Sequence, residues 1–209
     1  MASRILLAGA IRGLVSEGDR VVRILERERP DAVGLAVSPE GLEVMASGKA
    51  LPQDQKNAAN PEEEMYIEGL SEFGEVVKPP PCFSMAQQFA LANKIRIEAL
   101  DMDDEHYTAA YCKYVSTLDM IRQGNSRKHF ARHAFVAGTP EEFVMEWDGL
   151  VNRLKSYRDL ENAREAWFAK RISLLAGKGK AVLAVVELER LAGVSERLTG
   201  LGLEFETVH

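Results

Sequence analysis

The feature that most limits the fold of this chain is an uninterrupted apolar run near its C-terminus, Ala181-Val182-Leu183-Ala184-Val185-Val186. A short apolar run without polar alternation is typical of a strand that is buried on both faces. Strands of this kind belong to parallel sheets that carry helices on either side, because a sheet face open to water needs alternating polar residues. The rest of the chain should therefore supply both further strands and the helices that cover them.

The N-terminal third shows the alternation that such a sheet requires. Apolar segments at residues 4–8 and Ala32–Val37 predict two strands. Between them, residues 16–29 have an apolar face at helical spacing, and Pro30 ends the helix before the second strand. We interpret this region as a βαβ unit, with the two strands paired in parallel through a right-handed crossover.

Two more strands are predicted at Ile95–Leu100 and Leu203–Thr207. Capping patterns predict helix starts at Asn60-Pro61-Glu62-Glu63 and Ser84-Met85-Ala86-Gln87. From about residue 104 to residue 176 the pattern is helical, with breaks expected at Gly124 and Gly138. We therefore expect an α/β fold in one domain over residues 1–209: an open, mostly parallel sheet flanked by helices, with a long helical insert between about residues 104 and 176.

Composition narrows the class of function. The chain has 209 residues and a net charge of −6, and no basic stripe interleaved with aromatic residues offers a surface for nucleic acid. No apolar stretch reaches the length of a membrane span, and no signal peptide is recognisable. Cys82 and Cys112 form neither a disulfide framework nor a metal pattern, as is usual in a reducing compartment. We expect a cytoplasmic protein that binds neither nucleic acid nor membrane.

One histidine pair has the spacing of metal ligands. His129 and His133 lie four residues apart and would share one face of a helix. Arg127, Lys128 and Arg132 surround them, and these cations would repel a metal ion. We interpret the segment as a solvated helix face and not as a metal site.

Carboxylates follow two of the predicted strands. Asp101 and Asp103 come directly after one strand, and Glu187 and Glu189 come after the apolar run. Open α/β sheets place their sites at the carboxyl ends of the strands, so these side chains predict a carboxylate-lined cleft at that edge. An equally good interpretation is that Asp103 or Asp104 caps the helix that follows.

Several short motifs occur in an order that resembles the TraB/PrgY family, which is related to the TIKI proteins and more distantly to the erythromycin-esterase and ChaN-like fold. The similarity lies in the order and spacing of motifs over most of the chain. The motifs are Gly9-Ala10-Ile11-Arg12, Arg29-Pro30-Asp31, Asp101-Met102-Asp103, Ala163-Arg164-Glu165 and the segment Val185–Val194.

The resemblance also identifies which family residues are replaced. The two family histidines correspond to Arg12 and Arg190, the strand glutamate corresponds to Ala36, and the family Glu-Arg pair keeps only Arg164. In TIKI-type members the histidines and glutamates are implicated in metal-dependent peptidase activity. An arginine stays protonated and cannot ligate a cation. The resemblance thus implies a catalytically degenerate member, a pseudoenzyme without a cofactor.

Two roles are open for the arginines. Arg12, Arg164 and Arg190 could form an anion site, since guanidinium groups bind carboxylate and phosphate in bidentate fashion. They could instead pair with Asp101, Asp103, Glu187 or Glu189 in a structural network, which we favour because opposed charges at one edge compensate one another.

These roles lead to three hypotheses of function. The leading one is a cytoplasmic binding or regulatory domain that takes a small anionic ligand or a protein partner. The alternative is a divergent metal-dependent hydrolase in which Asp101, Asp103, Glu187 and Glu189 hold a divalent metal ion. The third is an assembly subunit that forms a homo-oligomer through its helical insert.

Overall fold

Five strands form one parallel sheet in this computed structural model, which describes residues 3–47, 61–130 and 133–209. The strands are β1 (Arg4–Ala10), β2 (Ala32–Leu35), β3 (Arg96–Ala99), β4 (Ala181–Glu187) and β5 (Glu206–Thr207). Their order across the sheet is β3-β2-β4-β1-β5, and every pairing is parallel. The prediction of an open parallel sheet is confirmed.

The apolar run at residues 181–186 lies in the central strand, β4. It pairs with β1 on one side and with β2 on the other, and its residues 182–187 are all buried. The expectation that β1 and β2 pair directly is wrong, because β4 lies between them. This position suits β4, since a strand with apolar side chains on both faces loses most of its contact with water at the centre of a covered sheet.

Nine helices are described in these three stretches of chain. They are α1 (Val15–Glu28), α2 (Pro39–Ser47), α3 (Pro61–Ser71), α4 (Pro81–Ala92), α5 (Asp104–Tyr114), α6 (Thr117–Phe130), α7 (Pro140–Val151), α8 (Lys155–Ala176) and α9 (Leu188–Gly200). α1 packs against α4, and α8 packs against α9. Residues of all four helices share one buried apolar core with the strands.

The boundaries of α1 and α4 follow from identifiable residues. Arg29 caps α1 in the left-handed region, with φ of 45°, before Pro30. α4 begins at Pro81 and not at the predicted Ser84, because a proline suits the first turn of a helix, whose amide has no helical partner. Gly18 of α1 lets the two helices approach closely, since a Cβ there would lie 2.8 Å from Cβ of Pro81. For α3, Asn60 of the predicted start lies outside the described residues.

The helical insert is confirmed, but one of its predicted breaks is wrong. α6 continues through Gly124, where nothing lies within 4 Å of a Cβ. An exposed glycine costs a helix only about 1 kcal/mol, so it need not end one. The break falls instead before Thr117, where the Ser116 hydroxyl donates to Asp119 at 2.7 Å. The predicted break at Gly138 is confirmed, and Thr139 caps α7 by accepting from the Glu142 amide at 3.2 Å.

A second apolar cluster joins the end of β1 to α3 and α7. It consists of Ile11, Leu14, Tyr66, Leu70, Phe143, Val144 and Trp147. Gly69 permits the contact, because a Cβ there would lie 2.6 Å from Cζ of Phe143. α7 therefore lies beside the residues that follow the carboxyl end of β1.

The sequence also led to expectations about the pair His129 and His133 and about membrane-spanning segments. The expectation that His129 and His133 share a helix face is wrong, because α6 ends at Phe130 and His133 is not helical. His133 Nε2 lies 2.7 Å from Glu146 Oε1, and the side chain of His129 lies outside the described residues. Among the described helices, none combines the length and the apolar character needed to cross a membrane.

Candidate functional site

The carboxyl edge of the sheet gathers charged side chains from four parts of the chain. Glu187 is the last residue of β4 and is in register with Ala10, the last residue of β1. Arg12 follows β1 by two residues, and Asp101 follows β3 by two residues. Because the strands are parallel, their carboxyl ends lie at the same edge of the sheet, as the sequence-based prediction for these charged residues required.

Arg164 of α8 joins three carboxylates at this edge. Its guanidinium donates to Asp101 through Nε at 3.3 Å, to Glu161 through Nη1 at 2.8 Å and to Glu187 through Nη2 at 3.4 Å. Its side chain is only 16% exposed. Burial opposes its charge, but the three carboxylates outweigh that effect and raise the pKa of Arg164 well above its ordinary value. The carboxylates around it already use its hydrogen-bonding capacity.

Arg190, in the first turn of α9, has a similar role. It is 8% exposed and donates to Asp148 of α7 and, at 3.2 Å, to Glu165 of α8. Its Nε also lies 3.7 Å from Glu161 Oε2. Burial lowers the pKa of Arg190, but these acids together raise it above the usual value. The side chain thus ties three helices together.

Gly193 makes room for this arrangement. A Cβ at that position would lie 2.6 Å from Oε1 of Glu165, so a side chain there would push the Glu165 carboxylate away from its present position against α9. Burial raises the pKa of Glu165, although Arg190 and Arg197 oppose the shift. Arg197 Nη2 lies 3.4 Å from Glu165 Oε2.

Arg12 is placed differently from the other two predicted arginines. Its side chain is 43% exposed, and its ion pair joins Nη2 to Glu189 Oε1 at 3.3 Å. Its guanidinium carbon lies 5.7 Å from the centre of the Tyr66 ring, and the Tyr66 hydroxyl donates to the Arg12 carbonyl at 3.1 Å. Within the described residues its Nε–H is buried and has no hydrogen-bond partner. Only Nη2 pairs with a carboxylate, and the side chain is partly exposed, so Arg12 keeps donors for a ligand.

Arg12 lines a pocket of about 290 Å³ at this edge of the sheet. We call it the Arg12 pocket; its lining residues are Arg12, Gly13, Glu62, Glu63, Tyr66, Ile67, Val76, Val77, Lys78, Pro80, Trp147 and Val151. The second lining cation, Lys78, places Nζ 2.6 Å from Glu63 Oε1. Neither Arg164 nor Arg190 lines the Arg12 pocket.

The ion pairs at this edge involve more acidic side chains than basic ones. They join four arginines to six carboxylates: Arg12, Arg164, Arg190 and Arg197 to Asp101, Asp148, Glu161, Glu165, Glu187 and Glu189. Oε2 of Glu187 and Oε2 of Glu189 are buried, and neither has a partner among the described residues. Burial raises the pKa of Glu189, although Arg12 opposes the shift. A proton on Glu189 would relieve part of this excess negative charge.

Asp103 is the one predicted site residue that the structure keeps apart from the arginines. It caps α5 by accepting from the His106 amide at 2.8 Å, and it pairs with His106 Nδ1 at 2.7 Å. These hydrogen bonds lower the pKa of Asp103 below its usual value. The interpretation of Asp103 as a helix cap is confirmed.

The donor set does not favour a metal centre. Asp101, Glu187 and Glu189 each lie within ion-pair distance of an arginine. In residues 3–47, 61–130 and 133–209, no group of three or more His, Cys, Asp or Glu side chains is arranged to hold a metal ion. An ion would have to displace the arginines first.

Several residues at this edge were not predicted from the sequence. Glu161 precedes Arg164 by three residues on one helix, so the spacing could have indicated their contact. Asp148 and the pocket residues other than Arg12 carry no local signal, because tertiary packing alone brings them to the edge.

Comparison of the chain with known proteins yields no match, either to a protein-family model or to a curated protein. The resemblance to the TraB/PrgY family therefore rests on the order of its motifs.

Proposed function

We propose that this chain is a catalytically degenerate, TraB-like cytoplasmic domain that binds a small anionic ligand in the Arg12 pocket. The observation that carries the proposal is the position of Arg12. It is a permanent cation at the carboxyl edge of a parallel sheet, where α/β proteins commonly bind ligands. It also lines a pocket while one of its donors has no partner among the described residues.

The arginines have the two roles that the sequence left open: some belong to a structural network, and one binds the anion. Arg190 is buried, Arg164 is only 16% exposed, and each is surrounded by carboxylates, so we assign them to the structural network. Breaking such a buried pair is costly, because the remaining charge loses its partner in a poorly solvated place. We assign the anion to Arg12 alone.

The same geometry supports binding over hydrolysis. A metal-dependent hydrolase needs carboxylates or histidines that are free to ligate a metal ion and to activate water. Here Arg12 and Arg190 stand at the positions that match the family histidines, and arginine cannot ligate a cation. Three acidic residues of the alternative hypothesis already pair with arginines: Asp101 and Glu187 with Arg164, and Glu189 with Arg12. The fourth, Asp103, caps α5. A binding or regulatory role therefore fits the site better.

A panel of ligands tests the proposal, because a compound that binds the folded state raises its melting temperature. The panel should contain small monocarboxylates, phosphate monoesters, inorganic phosphate and the chlorides of Mg²⁺, Mn²⁺ and Zn²⁺. The variants are wild type, Arg12→Gln and Arg4→Gln. Arg4 is a matched control, since it is 49% exposed, forms ion pairs and begins β1 at the opposite end of the sheet.

We expect at least one anion to stabilise wild type and Arg4→Gln but not Arg12→Gln. A stabilising anion that acts equally on all three proteins would place the binding elsewhere and contradict the proposal. Stabilisation by a divalent metal, with no response to any anion, would instead favour the hydrolase. No response to any compound would also count against the anion site.

A second candidate function, assembly, is favoured by one observation on the helical insert. Leu118, Met120 and Ile121 of α6 are 54%, 49% and 56% exposed. Leu118 and Ile121 are three residues apart and share a helix face, where a second copy of the chain could pack. Light scattering on wild type and a Leu118→Glu/Ile121→Glu variant tests this: a dimer that the variant loses supports assembly, and a monomeric wild type contradicts it.

A further inference from the structure

We infer that the ligand of the Arg12 pocket is an apolar monocarboxylate, a compact apolar body with one carboxylate, and not a phosphate ester. This inference rests on the proposed anion binding and specifies its chemistry. It follows from the size of the pocket, from its walls and from the balance of charge around Arg12.

The size and the walls of the pocket define the body of the ligand. A volume of about 290 Å³ is at the lower end of the range for small-molecule sites. The rings of Tyr66 and Trp147 form part of its wall, and these residues are only 8% and 6% exposed. Ile67, Val76 and Val151 add aliphatic surface. Such walls favour an aromatic or branched apolar group, because the transfer of apolar surface from water into an apolar pocket is favourable.

The donors of the pocket fit one carboxylate. Lys78 and Arg12 line the pocket and each pairs with one carboxylate, but only Arg12 can offer two parallel N–H donors. A guanidinium group presents its N–H donors in a planar fork that matches the two oxygens of a carboxylate. A phosphate monoester has three terminal oxygens and at neutral pH nearly two charges, and Arg12 alone would leave part of that charge uncompensated.

The surrounding acids set an upper limit on the charge of the ligand. Glu189, which is 7% exposed, pairs with Arg12, and Glu187 is 5% exposed beside Arg164. Both acids contribute to the electrostatic field that Arg12 experiences, while Glu62 and Glu63 line the pocket itself. Arg12, Arg164 and Lys78 each already pair with a carboxylate, namely Glu189, Glu187 and Glu63. A second negative charge on the ligand would therefore be repelled. A single carboxylate can be accommodated beside Arg12.

Three probes of similar size separate these properties. Phenylacetate carries one negative charge, phenyl phosphate carries nearly two at pH 7.5, and 2-phenylethanol carries none. Their affinities should be measured by calorimetric or NMR titration on wild type, Arg12→Gln, Val77→Trp and Arg4→Gln. Val77 lines the pocket and is 37% exposed, so a tryptophan there can fill the pocket from an exposed position without changing its charge.

We expect phenylacetate to bind wild type at least tenfold more tightly than either of the other probes. Arg12→Gln should weaken phenylacetate binding by about tenfold or more, because a hydrogen-bonded charge is lost. Val77→Trp should abolish it, and Arg4→Gln should leave it unchanged.

Other results overturn the inference in distinguishable ways. Tighter binding of phenyl phosphate that requires Arg12 would overturn the monocarboxylate and leave the proposed anion site standing. Equal binding of 2-phenylethanol and phenylacetate would overturn the monocarboxylate too, because the pocket would then select only apolar surface. If phenylacetate fails to bind, the inference is wrong, and the wider ligand panel decides separately whether any anion binds at Arg12.

Discussion

Arg190 of α9 donates a hydrogen bond to Asp148 of α7, although 42 residues separate them in the chain. The contact joins the helical insert to the helix that directly follows the central strand. Asp148 is adjacent in sequence to Trp147, which lines the Arg12 pocket, and Arg190 is adjacent to Glu189, which pairs with Arg12. The Arg190–Asp148 ion pair therefore helps to position Trp147 of the pocket wall and Glu189, the partner of Arg12.

Removal of Arg190 should strongly destabilise the fold. Arg190→Ala leaves Asp148, Glu161 and Glu165 without the cation they share, and breaking a buried pair typically costs about 3–5 kcal/mol. Urea denaturation gives the free energy of unfolding. Arg197→Ala on the same helix is the control, because Arg197 is 32% exposed and should matter much less. Equal effects of the two substitutions would contradict a central role for Arg190.

A side chain at position 193 should destabilise the fold. Gly193→Ala places a Cβ against the carboxylate of Glu165 and should lower the free energy of unfolding by about 1–3 kcal/mol, the usual cost of overpacking. Gly124→Ala is the matched control, since nothing lies within 4 Å of that position in α6. This control should stabilise the protein by up to about 1 kcal/mol, because alanine favours helix over glycine. A neutral Gly193→Ala would show that the Glu165 carboxylate can move aside without a cost in stability.

Sequence alone indicates the strands of this fold but not their order. Apolar runs mark β1 and β4 because a buried strand has to be apolar wherever it lies in the sheet. The insertion of β4 between β1 and β2 depends on how helices from distant parts of the chain cover the sheet. No local pattern near residues 181–186 carries that information.

The candidate site was predictable to a similar extent. Asp101, Arg12 and Glu187 follow strand ends, so the parallel sheet places them at one edge. Whether Arg12 faces a pocket or a carboxylate depends on α3 and α7, which pack beside it only in the tertiary structure. For Asp103 the local signal of a helix cap was correct, because capping depends on neighbours three residues away.

Burial of Glu189 should make stability depend on pH. Its pKa is raised above the ordinary value of 4.5, so the folded state holds this proton more tightly than the unfolded state. The stability that the proton contributes is present below pH 4.5 and is lost as the pH rises through the folded pKa. Glu189→Gln cannot ionise and should therefore gain stability relative to wild type as the pH rises above 4.5, by at most about 1.4 kcal/mol per pH unit.

Urea denaturation at several pH values between 4 and 8 measures this difference. Glu196→Gln is the control, because Glu196 lies on the same helix and is exposed. This variant removes an exposed carboxylate from the same helix, so a pH dependence seen only in Glu189→Gln is due to the buried position of Glu189. If the Glu189→Gln difference from wild type varies no more with pH than that of Glu196→Gln, the buried carboxyl does not hold its proton more tightly in the folded state.

Asp103 should affect stability but not ligand binding. Asp103→Ala removes the acceptor for the His106 amide and should lower the melting temperature, whereas Asp103→Asn retains a capping oxygen and should have a smaller effect. Titration with phenylacetate should give the same affinity for both variants as for wild type, because Asp103 does not line the Arg12 pocket. A loss of affinity common to both variants, of the size expected for Arg12→Gln, would return Asp103 to the binding site.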